Sequence, residues 1–136
     1  MRTTVPAKSI TKRPPPDPRS SVLLIDDCED VALALKDMLE LQGVLVVSRS
    51  SGASAIRELQ TGRRFGLVLL DFDLQDMTGN EFLEELQHHN LADNQPIVGF
   101  ASRTDLKTAF PLSDLLRKPV DLADLLVRIR SYLTLH

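Results

Sequence analysis

The sequence predicts an α/β protein built on a parallel sheet. Short apolar runs, which are typical of strands buried on both faces, alternate with stretches whose apolar residues recur at helical spacing. Repeated strand–helix alternation requires right-handed crossovers and places helices on both sides of the sheet. At 136 residues, the chain suits one domain with a proper core. We therefore predict a flavodoxin-like, doubly wound sheet of five strands in the order 2-1-3-4-5.

Five apolar runs are the predicted strands. Each is bounded by polar residues or by turn-forming residues, as expected for a short buried strand. In chain order, they are Val22–Ile25, Leu45–Val47, Phe65–Leu70, Ile97–Phe100 and Leu115–Leu116.

Four helices are predicted from apolar residues three or four positions apart, together with start and stop signals. Gly43 and Gly62 mark the ends of the first two helices. Thr78 with Glu81 forms a capping-box pattern, and Asp121 can cap the last helix. The residues at helical spacing are Val31, Leu35, Met38, Leu39 and Gln42, then Ala53, Ile56 and Leu59, then Phe82, Leu83 and Leu86, and finally Leu125, Leu126, Ile129 and Leu133.

The connection between the fourth and fifth strands predicts a shortened fourth helix. Only residues 103–113 separate Ser102 from Asp114, and Pro111 interrupts them. A full crossover helix with both of its loops needs a dozen or more residues. We therefore expect only one or two helical turns, around Asp105–Phe110.

Composition favours a cytoplasmic globular protein without membrane contact. The hydrophobic content of 43% and the charged content of 26% are ordinary for a soluble domain. No apolar run approaches the ~20 residues that span a bilayer, and no secretory signal is recognisable. The single cysteine, Cys28, excludes an internal disulfide and suits a reducing compartment.

Residues 1–20 differ in composition from the rest and are predicted to form a disordered, basic, proline-rich tail, with the domain proper at residues 21–136. The tail has five basic residues against one acid and five of the eight prolines. Its net charge of +4, within a whole-chain charge of −3, leaves −7 for residues 21–136. So few apolar residues cannot offset the entropy of ordering the segment. It is either a solubilising leader or an arm for an acidic partner or nucleic acid.

Acidic and basic side chains follow three of the predicted strands. Asp26 and Asp27 end the first strand, Asp71 ends the third, and Lys118 follows the fifth. In this fold, ligands bind beyond the carboxyl ends of the strands, where the strand order reverses. Two carboxylates ~4 Å apart repel by about 4 kcal/mol at an effective dielectric near 20, and a hard divalent cation removes that cost. The sequence therefore predicts a Mg²⁺-assisted anion site.

Three segments carry a family resemblance. SVLLIDDCED, LVLLDFDLQDMTG and LLRKPVDLADLLVRIR resemble the signature stretches of bacterial response-regulator receiver domains, and the 44-residue separation of Asp27 from Asp71 is that of the family. The resemblance runs from about Ser21 to the C-terminus. It implies that Asp71 is the phosphoacceptor.

The resemblance also implies roles for the neighbouring residues. Asp26, Asp27, Asp71 and the backbone carbonyl of Asp73 would hold Mg²⁺, while Lys118 would bind the phosphoryl group. Pro119 would follow a cis peptide bond.

Two switch positions depart from the family pattern. The family usually has Ser or Thr where this chain has Ala101, and an aromatic residue where it has Leu115. Ser102 could supply the missing hydroxyl only if the strand end shifts or bulges, because adjacent strand residues face opposite ways. A further hypothesis is that Arg103 neutralises the charge of the Asp73 side chain.

The resemblance implies a phosphorelay signalling module rather than an enzyme. A sensor histidine kinase or phosphotransfer protein would phosphorylate Asp71, and the output would be a contact with an unknown downstream protein. Because the chain ends after the last helix, no DNA-binding output domain and no direct DNA binding are expected.

Two alternatives remain open. Asp71-Phe72-Asp73 also resembles the DxD pair of haloacid-dehalogenase-type phosphatases, although that family expects Thr or Val where this chain has Gln75 and places DxD on its first strand. The departures at Ala101 and Leu115 favour instead a pseudo-receiver, which would bind partners without phosphorylation.

Overall fold

A parallel five-stranded sheet lies at the centre of the computed structural model, which describes residues 18–105, 107–108 and 112–133. Its strand order is β2-β1-β3-β4-β5, and every pair is parallel. The predicted order 2-1-3-4-5 is confirmed. The strands are β1 (Ser21–Ile25), β2 (Leu45–Arg49), β3 (Leu67–Asp71), β4 (Ile97–Ala101) and β5 (Asp114–Arg117).

Four α-helices connect or follow these strands in the described part of the chain, and the signals read from the sequence mark their ends. Gly43 takes φ of 83° just after the first helix, and the Thr78–Glu81 capping box is formed. The Asp121 carboxylate caps the last helix. None of the four is long and apolar enough to cross a bilayer. They are α1 (Glu29–Leu41), α2 (Gly52–Gln60), α3 (Gly79–His88) and α4 (Leu122–Tyr132).

The core has two layers, one on each face of the sheet. Along β1, Leu23 and Ile25 face the layer formed with α2 and α3, whereas Val22 and Leu24 face the layer formed with α1 and α4. This alternation follows from the two-residue period of a strand. All residues of β1, β3 and β4 are buried, so the central strands read as unbroken apolar runs.

The third strand begins two residues later than predicted. The side-chain amide of Gln95 donates to the Phe65 carbonyl oxygen over 3.1 Å, and the Phe65 amide donates back to Gln95 Oε1 over 3.4 Å. The backbone of Phe65 is therefore satisfied by a side chain rather than by a neighbouring strand, and β3 starts at Leu67.

The structure describes only part of the predicted tail and only part of the predicted short helix. Residues 1–17 lie outside the described residues, while Pro18–Ser20, the last residues of the predicted tail, form a 3-10 turn that leads into β1. This turn packs closely, since a Cβ added at Gly66 would lie 2.7 Å from the Arg19 carbonyl oxygen. Within the predicted helix Asp105–Phe110, residues 106, 109 and 110 lie outside the described part, and residues 105, 107 and 108 are not helical.

Candidate functional site

The carboxyl ends of β1, β3 and β5 bring the four predicted charged residues together. Asp26 and Asp27 follow β1, Asp71 is the last residue of β3, and Lys118 follows β5. One oxygen from each of the three carboxylates lies within 4.8 Å of the other two. Lys118 Nζ lies 2.7 Å from Asp71 Oδ1. The reversal of strand order on either side of β1 and β3 thus produces one polar site.

Each carboxylate of this cluster is fixed by a backbone amide. Within the described part of the chain, one oxygen of each accepts such a bond, and the second oxygen accepts none. The three bonds, each of 2.9 Å, run from Cys28 N to Asp26 Oδ1, from Gln75 N to Asp27 Oδ2 and from Asp73 N to Asp71 Oδ1. The arrangement brings three oriented carboxylates together, and carboxylate oxygens are the donors that Mg²⁺ prefers. The residues present therefore fit the metal that the sequence predicts.

The charges of the site are only partly balanced. Burial, together with the nearby charge of Asp71, raises the pKa of Asp26. Burial would lower the pKa of Lys118, but the hydrogen bond and charge of Asp71, followed by those of Asp73, outweigh it and raise that pKa. One lysine therefore faces four carboxylates, an excess of negative charge that a divalent cation would relieve.

The Asp73 side chain is engaged by Ser102 and Lys118 rather than by the carboxylate cluster. Its Oδ2 accepts hydrogen bonds from the Ser102 amide over 3.1 Å and from the Ser102 hydroxyl over 2.9 Å, and lies 3.2 Å from Lys118 Nζ. Burial alone would raise the pKa of Asp73, but the bonds from Ser102 and then from Lys118 lower it. The predicted Arg103–Asp73 pairing is wrong, because the Arg103 guanidinium is paired with Asp105.

The two switch positions are apolar core contacts. Ala101 ends β4 and is fully buried in the layer below α2 and α3, against which half-buried Leu115 also packs. Ser102 turns the other way, toward Asp73, as the alternation of side chains along a strand requires. The Lys118–Pro119 peptide bond is cis, as expected from the resemblance.

Sequence reasoning missed the packing of Phe72, the residue after Asp71. Its ring is 3% exposed and lies against two glycines. A Cβ at Gly79 would stand 2.2 Å from Phe72 Cγ, and one at Gly99 would stand 2.6 Å from Phe72 Cε1. The two glycines in otherwise regular elements were the available signal, because glycine there marks a close approach.

Asp76 is a second residue whose role the sequence did not reveal. Its two carboxylate oxygens accept hydrogen bonds of 3.0 Å from the amides of Gly52 and Ala53, at the start of α2. This carboxylate satisfies amides that a helix start leaves without partners. The loop after β3 is thereby attached to the start of α2, which precedes β3 in the chain.

A cleft of about 750 Å³ continues from the charged residues between the first turns of α1 and α4. Its far walls are apolar and include Val31 and Leu122, which are 45% and 46% exposed. Val31 was predicted on the inward helical pattern, but its side chain is exposed at the cleft. The acidic cluster therefore opens onto an apolar surface.

The comparisons with known proteins agree with this geometry. Residues 22–130 match the family model described as response regulator receiver domain. The chain is 30% identical over 119 residues to the transcriptional regulatory protein CrdR of Helicobacter pylori, covering 84% of this chain and 55% of that protein. It is also 30% identical over 123 residues to the aerobic respiration control sensor protein ArcB of Escherichia coli, covering 86% of this chain and 16% of that protein.

A solved structure shows the same fold. The response regulator receiver domain protein (CheY-like) from Methanospirillum hungatei superimposes with a TM-score of 0.73 at 25% identity, covering 82% of this chain and 91% of that one. The chain spans about half the length of CrdR and a smaller share of ArcB. Because the family model matches most of the chain, and the fold agrees, this protein belongs to the response regulator receiver domain family.

Proposed function

We propose that this receiver domain takes up a phosphoryl group on Asp71, in a Mg²⁺-dependent reaction, from a sensor histidine kinase or a phosphotransfer protein. The observation that carries the proposal is the position of Asp71, which belongs to the carboxylate cluster and also contacts Lys118 over 2.7 Å. A carboxylate between a cation site and an ammonium group can attack phosphorus and have the resulting charge neutralised from both sides.

The two oxygens of Asp71 have different roles in this proposal. Oδ1 is held by the Asp73 amide and by Lys118, whereas Oδ2 has no hydrogen-bond donor in the described part of the chain. Oδ2 is thus the nucleophile. As its bond to phosphorus forms, the bond from phosphorus to the donor's imidazole nitrogen breaks, and that nitrogen keeps the electron pair.

The metal would be held by Asp26, Asp27, Asp71 and the backbone carbonyl of Asp73. When bound, a divalent cation supplies charge neutralisation for the phosphoryl oxygens. Lys118 complements it as a mobile point charge with three donors. The role of Lys118 toward the phosphoryl group, like that of the metal ligands, is part of this proposal, whereas Ser102 would join it only on release from Asp73.

Signalling through protein contacts in the cytoplasm is the proposed output. The free, exposed thiol of Cys28 is consistent with a reducing compartment. CrdR is by its name a transcriptional regulator, but the matched region is 55% of its length, so its output activity is not transferred to this chain. The downstream target is a protein recognised by the domain itself.

A phosphatase of the haloacid-dehalogenase type is disfavoured by two observations. Asp71 ends the third strand rather than the first. A second aspartate that acts as a general acid must carry a proton, but the pKa of Asp73 is lowered by Ser102 and Lys118 against the effect of burial. The apolar residues Ala101 and Leu115 favour the pseudo-receiver alternative. It shares the fold and the binding of partners with the proposal, and differs in that Asp71 would not be phosphorylated.

Intact-protein mass spectrometry after incubation with acetyl phosphate and Mg²⁺ tests the proposal. We expect one phosphoryl adduct that is lost in Asp71→Asn and when EDTA replaces Mg²⁺. Asp105→Asn is the matched control, because it removes a carboxylate that pairs with Arg103 outside the cluster, and it should label normally. Absence of an adduct in a folded, Mg²⁺-binding protein would support the pseudo-receiver. Labelling that survives Asp71→Asn would refute the site assignment.

A further inference from the structure

The Asp73 carboxylate resembles a bound anion in its contacts. A single oxygen, Oδ2, receives the Ser102 amide, the Ser102 hydroxyl and the Lys118 ammonium group within 3.2 Å. These three donors come from the ends of β4 and β5, which border the same polar cleft as Asp71. Donors of this kind, converging on one oxygen, form an anion-binding arrangement.

We infer that Asp73, held in place by Ser102, is an internal competitor of the phosphoryl group, occupying in the resting protein the Lys118 ammonium group that a phosphoryl group on Asp71 would use. This inference rests on the proposed phosphorylation of Asp71. Phosphorylation must then displace the Asp73 carboxylate, and Asp73 sets how readily Asp71 is phosphorylated.

Lys118 is the donor for which the competition is most direct. Its Nζ lies 2.7 Å from Asp71 Oδ1 and 3.2 Å from Asp73 Oδ2, so the two carboxylates already share it. A phosphoryl group on Asp71 adds negative charge beside this ammonium group. Because like charges repel, the new charge and the Asp73 carboxylate cannot both stay close to Lys118 without an energetic penalty.

Displacement of the Asp73 side chain is sterically open. The side chain is 44% exposed, in contrast to that of Asp71, which is 4% exposed. Asp73 can therefore turn into water, where its charge is solvated, while Asp71 stays in place. The contact that breaks joins the loop after β3 to the end of β4, so its release separates two segments of the chain on phosphorylation.

The same geometry gives Ser102 a role that differs from binding the phosphoryl group, which is the role of the Ser or Thr that the family usually has in place of Ala101. In the resting protein, its hydroxyl and amide hold Asp73 across the cleft. Removing the hydroxyl should therefore weaken the competitor. If the hydroxyl instead served only as a phosphoryl ligand, its removal would weaken phosphoryl binding, so the two roles predict effects of opposite sign.

Equilibrium binding of beryllofluoride tests the inference without requiring turnover. This anion binds a carboxylate oxygen and has the tetrahedral shape and charge of a phosphoryl group. Its affinity for the full chain would be measured in Mg²⁺ by ¹⁹F NMR titration. Amide spectra would verify that each variant is folded, and the side-chain carbonyl carbon of Asp73 would be followed by ¹³C NMR.

The expected result is that Asp73→Asn binds beryllofluoride about tenfold more tightly than the wild type, because a like charge is removed from beside the site. Asp105→Asn is the charge-matched control, since that carboxylate pairs with Arg103 and makes no bond to Lys118 or Ser102 among the described residues. It should bind as the wild type does. Ser102→Ala should bind several-fold more tightly, but should give no gain when combined with Asp73→Asn. In the wild type, the Asp73 carbonyl carbon should shift when beryllofluoride binds.

The outcomes separate the inference from the function on which it rests. Equal or weaker binding by Asp73→Asn, with normal binding by the wild type, would overturn the competitor role and leave the phosphoacceptor intact. Weaker binding by Ser102→Ala would assign its hydroxyl to the phosphoryl group instead. If the wild type does not bind, or if Asp71→Asn binds equally well, both the proposed function and the inference fail.

Discussion

Replacement of Asp26 by asparagine should stabilise the metal-free protein and abolish its stabilisation by Mg²⁺. Asp26 is 7% exposed, and its carboxylate lies within 4.8 Å of those of Asp27 and Asp71. Asparagine retains an oxygen for the hydrogen bond from the Cys28 amide but carries no charge. The substitution thus removes repulsion while keeping the local geometry.

The size of the effect follows from these distances. Because these oxygens lie within 4.8 Å of one another, each carboxylate pair costs at least about 3.5 kcal/mol at an effective dielectric near 20. The charge of Lys118 also acts on Asp26 and offsets roughly one of the two pairs. Because Asp27 is only half-buried, solvent screening reduces the repulsion energy that remains. We expect the free energy of unfolding in EDTA to rise by about 1–2 kcal/mol.

The gain in free energy of unfolding from Asp26→Asn should increase as the pH rises. Since burial and Asp71 raise the folded-state pKa of Asp26, the folded protein binds more protons than the unfolded chain between the ordinary and the raised pKa. The wild type therefore loses stability as the pH rises through that window, whereas Asp26→Asn lacks this loss. The advantage of the variant should be greatest near neutral pH and should shrink as the pH falls and Asp26 becomes protonated.

Denaturant unfolding followed by far-ultraviolet circular dichroism provides the measurement, because the chain has no tryptophan and one tyrosine. Asp30→Asn is the control. That exposed residue lies in the first turn of α1, outside the cluster, where loss of its charge should cost about 0.3–1 kcal/mol. If Asp26→Asn destabilises the protein in EDTA as much as the control does, repulsion within the cluster does not control the stability of the metal-free protein. A normal Mg²⁺ response in the variant would contradict the metal assignment.

Two further changes test the packing and the charge balance of the site. Gly79→Ala should lower the free energy of unfolding by about 1–3 kcal/mol, because the new Cβ overlaps the buried Phe72 ring; an increase in stability, as helix propensity alone would give, would contradict this. Lys118→Gln should raise the affinity for Mg²⁺ by roughly tenfold, as measured by calorimetric titration, because the nearest positive charge is removed from the carboxylates; unchanged affinity would show that Lys118 and the ion do not interact.

The fold and the carboxylate cluster were predictable because both depend on local periodicity. The central strands are buried on both faces, so their apolar runs identify them, and the residues that follow them must meet at one edge of the sheet. Asp26, Asp27, Asp71 and Lys118 lie where this reasoning places them. The start of β3 was misjudged because Gln95, thirty residues away, satisfies the backbone of Phe65.

Contacts between loops could not be predicted in the same way. The pairing of Asp73 with Ser102 and Lys118 depends on the path of two loops, which tertiary contacts determine and no sequence period describes. Arg103 was expected to reach Asp73, but Asp105 is two residues away and offers both oxygens to the guanidinium fork. The short-range partner prevails because fewer chain conformations must be excluded to form the pair.

The backbone amides that hold the three carboxylates also bear on ion selectivity. An ion at this cluster meets oxygens whose spacing can widen only if the bonds to Cys28, Gln75 or the Asp73 amide lengthen. Ca²⁺ needs more ligands at greater distances and tolerates flexible geometry, whereas Mg²⁺ requires few protein ligands at short, fixed distances and keeps several waters. We therefore expect the site to favour Mg²⁺ over Ca²⁺ by ionic radius, with the spacing of its oxygens set largely by the loop after β3, which supplies two of the three amides.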